Sequence, residues 1–212
     1  MEPLSLRHVL ALLAELHGVP PIRESALKAR FQHLQKIGFP AETKTGRGKP
    51  ASYTVPAIVK IVVAFEAMAC GLLPERAAAF TSGMAKRWLS HAAADAGWRI
   101  LTDIEDASRN QYLVFDPNGL VLLKEGYEEP EALAWSCSGF DRDELADAIN
   151  ERDSDMVDRL AGMERRFTSI NVTLLLVLVA VHLEESCQIP KAVFAEALQD
   201  WGRANEWSPP DD

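Results

Sequence analysis

Hydrophobic residues recur at helical spacing through the first ninety residues of the chain. A stripe of four leucines and a valine predicts a first helix over about Ser5 to His17. A second stripe predicts a helix over about Glu24 to Ile37 after a short turn. Two apolar helices follow: one ends near Gly71, and the next begins at Pro74 and has Trp88 on its buried side. The first ninety residues are therefore expected to form one helical unit.

The helical periodicity is interrupted once in this unit, between the second and third helices. Residues 38–53 are rich in Gly, Pro, Thr, Lys and Arg, and Gly46-Arg47-Gly48-Lys49-Pro50 lies at their centre. Glycine permits the tight backbone conformations of a hairpin tip. The composition predicts a basic β-hairpin or loop.

Beyond Gly97 the pattern changes to short β-like runs. These are Trp98 to Leu101, Tyr112 to Phe115 and Leu120 to Leu123, and an Asn-Gly turn between the last two predicts a hairpin. Residues 125–139 are interpreted as an acidic connection. Phe167 to Val172 could add a third strand.

Helices are also predicted in this second half. An apolar stripe of Leu145, Ile149, Met156 and Leu160 runs through an acidic surface. A buried helix from about Thr173 to Glu185 and a last helix over Ala192 to Arg203 follow, and the residues from Trp207 onward are expected to fray. The predicted fold class is α+β, mostly α.

The net charge of −9 conceals two halves of opposite sign. Residues 1–91 carry 12 Lys and Arg against 6 Asp and Glu, whereas residues 92–212 carry 10 against 25. A basic module suits phosphates, and an acidic one suits solvent or a basic protein surface. We therefore expect a basic domain that binds a phosphate-bearing partner over residues 1–91. Residues 92–212 are expected to form an acidic α+β domain for dimerisation or partner binding.

Two short helices, a basic hairpin and a third apolar helix are together the parts of a winged helix-turn-helix. The second helix can enter a DNA major groove, about 12 Å wide, while the wing reaches the backbone or minor groove. A generic helical domain whose cations only solvate its surface remains the alternative. The candidate DNA-binding residues are polar, cationic or small, and Ser25 also offers a helix cap: Ser25, Lys28, Ala29, Gln32 and Lys36 in the helix, with Lys44, Arg47 and Lys49 in the wing.

Three consecutive segments carry a family pattern: Leu27-Lys28-Ala29-Arg30 to Ile37-Gly38-Phe39, then Gly46-Arg47-Gly48 to Tyr53, then Ala57 to Cys70-Gly71-Leu72-Leu73-Pro74-Glu75. Their order resembles the recognition helix, wing and following helix of MerR-type winged-helix domains, over about residues 6–80. The resemblance implies that Lys28 binds phosphate, that Arg30 belongs to the recognition helix, that Arg47 is a wing contact and that Tyr53 ends the wing. An acidic α+β segment replaces the family's long coiled-coil helix, which argues against metal sensing.

Motifs for other chemistry are absent from the sequence. Three widely spaced cysteines form no zinc or redox motif and favour a reduced, cytoplasmic protein. The acidic residues from Asp141 to Asp147 are interpreted as a helix N-terminus rather than a cation site. No segment is long enough to span a bilayer. We expect neither a catalytic site nor a metal nor another cofactor.

The function expected from these features is that of a sequence-specific, DNA-binding transcriptional regulator. Two half-sites of duplex DNA require two reading modules, so a homodimer is expected; RNA polymerase or another regulator is a candidate further partner. The alternative is a non-catalytic adaptor that uses the helical module to bind a transcription-related or phage-related protein. An enzyme in the acidic half is the second alternative, and it would need a cleft of carboxylates with displaced pKa values.

Overall fold

The computed structural model describes residues 1–43, 51–84, 87–103, 107–115, 117, 137–150 and 167–209. Their helices are α1 (Leu6–Leu16), α2 (Glu24–Lys36), α3 (Val55–Ala69), α4 (Pro74–Met84), α5 (Trp88–Thr102), α6 (Arg142–Asn150), α7 (Val172–Cys187) and α8 (Lys191–Arg203). Their strands are β1 (Leu4–Ser5), β2 (Ser52–Tyr53), β3 (Tyr112–Phe115), β4 (Cys137–Phe140) and β5 (Thr168–Asn171). The predicted class, α+β and mostly α, is confirmed.

The strands form two small antiparallel sheets. In the first, β1 pairs with β2, so that Leu4 lies opposite Tyr53. In the second, β3 lies between β4 and β5 and pairs with both. Leu113 and Val114 point to opposite faces of β3 and are both buried, so both faces of the central strand are covered.

The centre of the core is α3. Ten of its fifteen residues are buried, on all sides of the helix, which is typical of a helix enclosed by others. One hydrophobic cluster extends from Leu4 through α3 to Leu198 in α8. The apolar side chains of both halves of the chain therefore meet in one core.

Helices α5 and α8 approach each other closely at glycine. A Cβ placed on Gly97 would lie 2.5 Å from the backbone oxygen of Ala195, and one on Gly202 would lie 2.3 Å from the Cβ of Ala94. Residue 91, where the charge changes sign, lies inside α5. A cut after residue 91 would therefore divide this helix, while the assignment of two functional units remains a prediction.

Most of the predicted elements form where the hydrophobic pattern places them. The first three helices, the start of α4, strands β3 and β5, and helices α7 and α8 agree with the predicted ranges within about three residues. Ser5 caps α1, because its hydroxyl accepts a hydrogen bond from the His8 backbone N–H at 3.4 Å. Asp141 and Glu144 each accept a hydrogen bond from the other's backbone N–H, which is a capping box at the start of α6.

The β-like interpretation of residues 98–101 is wrong, because they lie in α5. Trp88 likewise begins α5 instead of continuing α4. The buried side of α5 is composed mainly of alanines, among them Ala92, Ala93 and Ala96. Alanine has the highest helix propensity, and it extends this helix through the bulky residues at its end.

Two other expectations need correction at the acidic connection and at the C-terminal tail. Residues 137–139 belong to β4 and not to a connection. Trp207 is buried, and its indole N–H donates a hydrogen bond to Asp95 at 2.8 Å. The residue therefore packs against α5 and is not frayed.

Several predictions fall outside the described residues. They concern the tip of the wing, the run from Leu120 to Leu123 with its Asn-Gly turn, and the second half of the acidic stripe at Met156 and Leu160. The first half of that stripe lies in α6, where Ile149 is 56% exposed.

Candidate nucleic-acid interface

Helix α2 presents a buried face and a polar face along its thirteen residues. Leu27, Phe31 and Leu34, spaced at one helical turn, form the buried face. The first residue before the helix is Arg23, and no side chain caps it, so the expectation that Ser25 caps this helix is wrong. Ser25 lies within the first turn and is exposed.

Aromatic packing holds the buried face of α2 in place. The ring of Phe31 meets Tyr53 edge to face, with centroids 5.8 Å apart, and stacks on Phe65 of α3 at 6.3 Å. Tyr53 is in turn held by the pairing of β2 with β1. Such aromatic pairs fix geometry as well as bury apolar area. The position of α2 is thus determined by β1, β2 and α3.

Two polar contacts add to this packing. The Gln35 amide donates a hydrogen bond to the Tyr53 hydroxyl at 2.9 Å. His33 Nε2 lies 2.8 Å from Glu75 Oε1 of α4. A hydrogen bond from its own backbone N–H and the contact with His33 hold the pKa of Glu75 below its ordinary value. Glu75 is therefore a carboxylate at neutral pH and connects α4 to the flank of α2.

Ser25, Ala29, Gln32 and Lys36 form one solvent-facing stripe along α2. At 3.6 residues per turn, these positions share a face opposite to Phe31. Lys28 lies on one flank of the stripe, Arg30 lies about 130° round the helix from it, and all six of these residues are exposed. Five of the six predicted helix residues therefore lie on one accessible face, whereas Arg30 is turned toward α3.

The exposed Lys and Arg side chains of α2 form no ion pair with an acidic side chain of the described residues. Within the described ranges, no carboxylate lies within ion-pair distance of Lys28, Arg30 or Lys36, whereas Lys60, Lys191 and Arg203 each have one. A charge without a protein partner remains free to bind a phosphate. We call the exposed stripe together with Lys28 the α2 surface.

Tyr53 lies apart from the α2 surface. Its side chain is 0% exposed, and burial raises the pKa of its hydroxyl despite the hydrogen bond from Gln35. A buried ring cannot reach a duplex, so Tyr53 acts as a core residue beneath α2. The wing residues Lys44, Arg47 and Lys49 lie outside the described residues.

The sequence reasoning missed Arg23. It is exposed, immediately precedes α2, and has no carboxylate partner in the described part of the chain. Because Arg23 and Arg30 are seven residues apart, they lie on the same flank, two turns from each other. Extending the helical wheel by one residue before Glu24 could have found this pair.

The described residues offer few groups for other chemistry. Among them, no cluster of three His, Cys, Asp or Glu side chains could hold a metal ion. In the same ranges, every helix is too short or too polar to cross a bilayer. Burial, and then the charges of Glu66 and Glu15, raise the pKa of Cys70 and of Cys187 respectively. A raised pKa leaves less of the reactive thiolate at neutral pH.

Comparison with models of known protein families, with curated proteins and with solved structures finds no match to this chain.

Proposed function

We propose that this protein is a sequence-specific, DNA-binding transcriptional regulator that reads duplex DNA with the α2 surface. The observation that carries the proposal is the exposed, polar and cationic face of α2, whose cations have no acidic partner in the described structure. Thirteen residues give a helix about 20 Å long, which fits along a major groove about 12 Å wide.

The two kinds of residue on this surface would take different parts in binding. Ser25, Ala29 and Gln32 would face base edges, where a glutamine amide can pair with adenine. Lys28 and Lys36 would contact phosphates, which position the protein without reading sequence. The predicted wing residues Arg47 and Lys49 would meet the adjacent backbone or the minor groove.

The order of the first elements supports a winged helix-turn-helix of the MerR type. Helices α1 and α2 are joined by a short turn, β2 returns after residues 38–51 to pair with β1, and α3 follows directly. Because β2 pairs with β1, the end of the proposed wing lies beside the start of α1.

The remaining parts of the proposal follow from geometry and charge. A homodimer would present two reading helices to two half-sites about one DNA turn apart. The acidic residues 92–212 would hold the dimer or contact RNA polymerase or another regulator. The protein would act by positioning, in the cytoplasm, without catalysis.

The test is the binding of the full chain to labelled duplex DNA. Selection from a randomised duplex library should enrich one motif, and the affinity for random duplex should fall steeply with salt, by a log–log slope of about −0.9 per phosphate contact. Lys28→Gln and Lys36→Gln should each reduce that slope by about 0.9, whereas Lys191→Gln on α8 should leave it unchanged.

A protein adaptor or an enzyme predicts a different outcome. Without enrichment of a motif, and without duplex binding at about 50 mM salt, where phosphate contacts are strongest, the proposal is wrong. The adaptor alternative would then be the better account of the α2 surface.

A further inference from the structure

A groove of about 440 Å³ lies on the Arg30 flank of α2, between this helix, the end of α1 and α3. Phe65 and Met68 of α3 and Leu27 of α2 form much of its apolar floor. Ligand sites in proteins have volumes of about 300–1,000 Å³ and are lined mainly by apolar side chains. The groove is therefore large enough for a small organic molecule.

His17 lines this groove just beyond the end of α1. Its ring centroid lies 6.0 Å from that of Phe65, and its Nδ1 lies 3.9 Å from Glu66 Oε1. Its Nε2 is buried and has no hydrogen-bond partner in the described structure. Nearly all buried polar atoms in proteins have a partner, so the wall of the groove contains an unsatisfied nitrogen.

Arg23 and Arg30 stand at the rim of the groove on the same flank of α2. Both are exposed, and neither has a carboxylate partner within the described ranges. Guanidinium groups bind carboxylates through two parallel hydrogen bonds. The rim therefore favours an anion, while the floor favours an apolar body.

We propose that this groove binds a small organic carboxylate with an aromatic or aliphatic body. The apolar body lies on Phe65 and Met68, and the carboxylate contacts Arg23 and Arg30. An inorganic anion would leave the floor uncovered, and a neutral apolar molecule would leave the arginines unused. The charge at the rim and the apolar floor together select the class of ligand.

The test uses the full chain, naphthoate as the anionic probe and naphthylmethanol as its neutral counterpart. Calorimetry measures both affinities, and spectra of protein with ¹³C-labelled methionine methyl groups report the position of the ligand through Met68. The double variant Arg23→Gln/Arg30→Gln removes the rim charges, and Lys191→Gln/Arg203→Gln on α8 is the matched control. Met68→Leu assigns the Met68 methyl signal.

Naphthoate should bind saturably, shift the Met68 methyl signal and bind at least about tenfold more weakly to the Arg23→Gln/Arg30→Gln variant. Naphthylmethanol affinity should change by less than about twofold in either double variant. Three results would each overturn the proposal: no saturable naphthoate binding below about 10 mM, equal loss of affinity in the control variant, or methyl shifts that exclude Met68. No DNA is present, so failure here is distinct from failure of the proposed function.

Discussion

The close approach of α5 and α8 makes Gly97→Ala a sharp test of the fold. A methyl group on residue 97 would lie 2.5 Å from the backbone oxygen of Ala195 and 3.2 Å from the Cβ of Leu198. The backbone oxygen cannot rotate away, so the two helices must separate. Residues of α5 and α8 belong to the same hydrophobic core as the helices of the first half of the chain. The substitution therefore perturbs the packing of both halves.

The expected loss of stability follows from two opposing contributions. Replacing glycine by alanine inside a helix favours folding by about 1 kcal/mol. Overpacking a tight contact costs about 1–3 kcal/mol, and a rigid backbone neighbour places this contact at the upper end. Gly97→Ala should therefore lower the free energy of unfolding by about 1–2 kcal/mol.

Gly83→Ala is the matched control, because it makes the same substitution in α4 with nothing within 4 Å of the new methyl group. It should raise stability by up to about 1 kcal/mol. Urea denaturation of both variants, followed by tryptophan fluorescence, measures the difference. Equal stability of the two variants, or a more stable Gly97→Ala, would refute the proposed packing of α5 on α8.

Three further substitutions test particular side chains. Tyr53→Phe should lose about 1 kcal/mol in urea denaturation, because the Gln35 hydrogen bond disappears, and it should leave DNA affinity unchanged; weaker DNA binding at equal stability would contradict its core role. Burial raises the pKa of Asp95, so ionising its carboxyl group is more costly in the folded chain than in the unfolded chain. Asp95→Asn keeps an acceptor for Trp207 and should therefore gain stability at pH 7, but not below about pH 4, where the carboxyl group is protonated in both states. Gln32→Ala should weaken binding to the selected duplex by about 1–3 kcal/mol and leave the affinity for random duplex unchanged. An equal loss of affinity on both duplexes would place Gln32 away from the bases.

The helices of the first half could be predicted because each has a stripe of large apolar residues at helical spacing. A helical-wheel projection of the sequence also identifies the exposed face of α2, because Leu27, Phe31 and Leu34 define the opposite side. Helix α5 lacks such a stripe, because its buried positions are mostly alanine. Its last turn, read alone, has the composition of a strand.

The features that could not be predicted depend on contacts between distant parts of the chain. Strand β4 contains serine and glycine, and it forms through pairing with β3, more than twenty residues earlier. Trp207 is ordered by Asp95 of α5. The groove needs Arg30 of α2, Met68 of α3 and His17 just beyond the end of α1. Local patterns carry no information on these tertiary contacts.

Photo-crosslinking from the α2 surface tests the central claim most directly. A benzophenone amino acid replaces Ala29 in the full chain, or replaces exposed Val193 on α8 as a control. We expect the variant with benzophenone at residue 29 to crosslink to the selected duplex, and the variant with benzophenone at residue 193 to bind the duplex without crosslinking to it. Crosslinking from residue 193 alone, or from neither residue when the duplex is bound, would contradict the assignment of α2 as the reading helix.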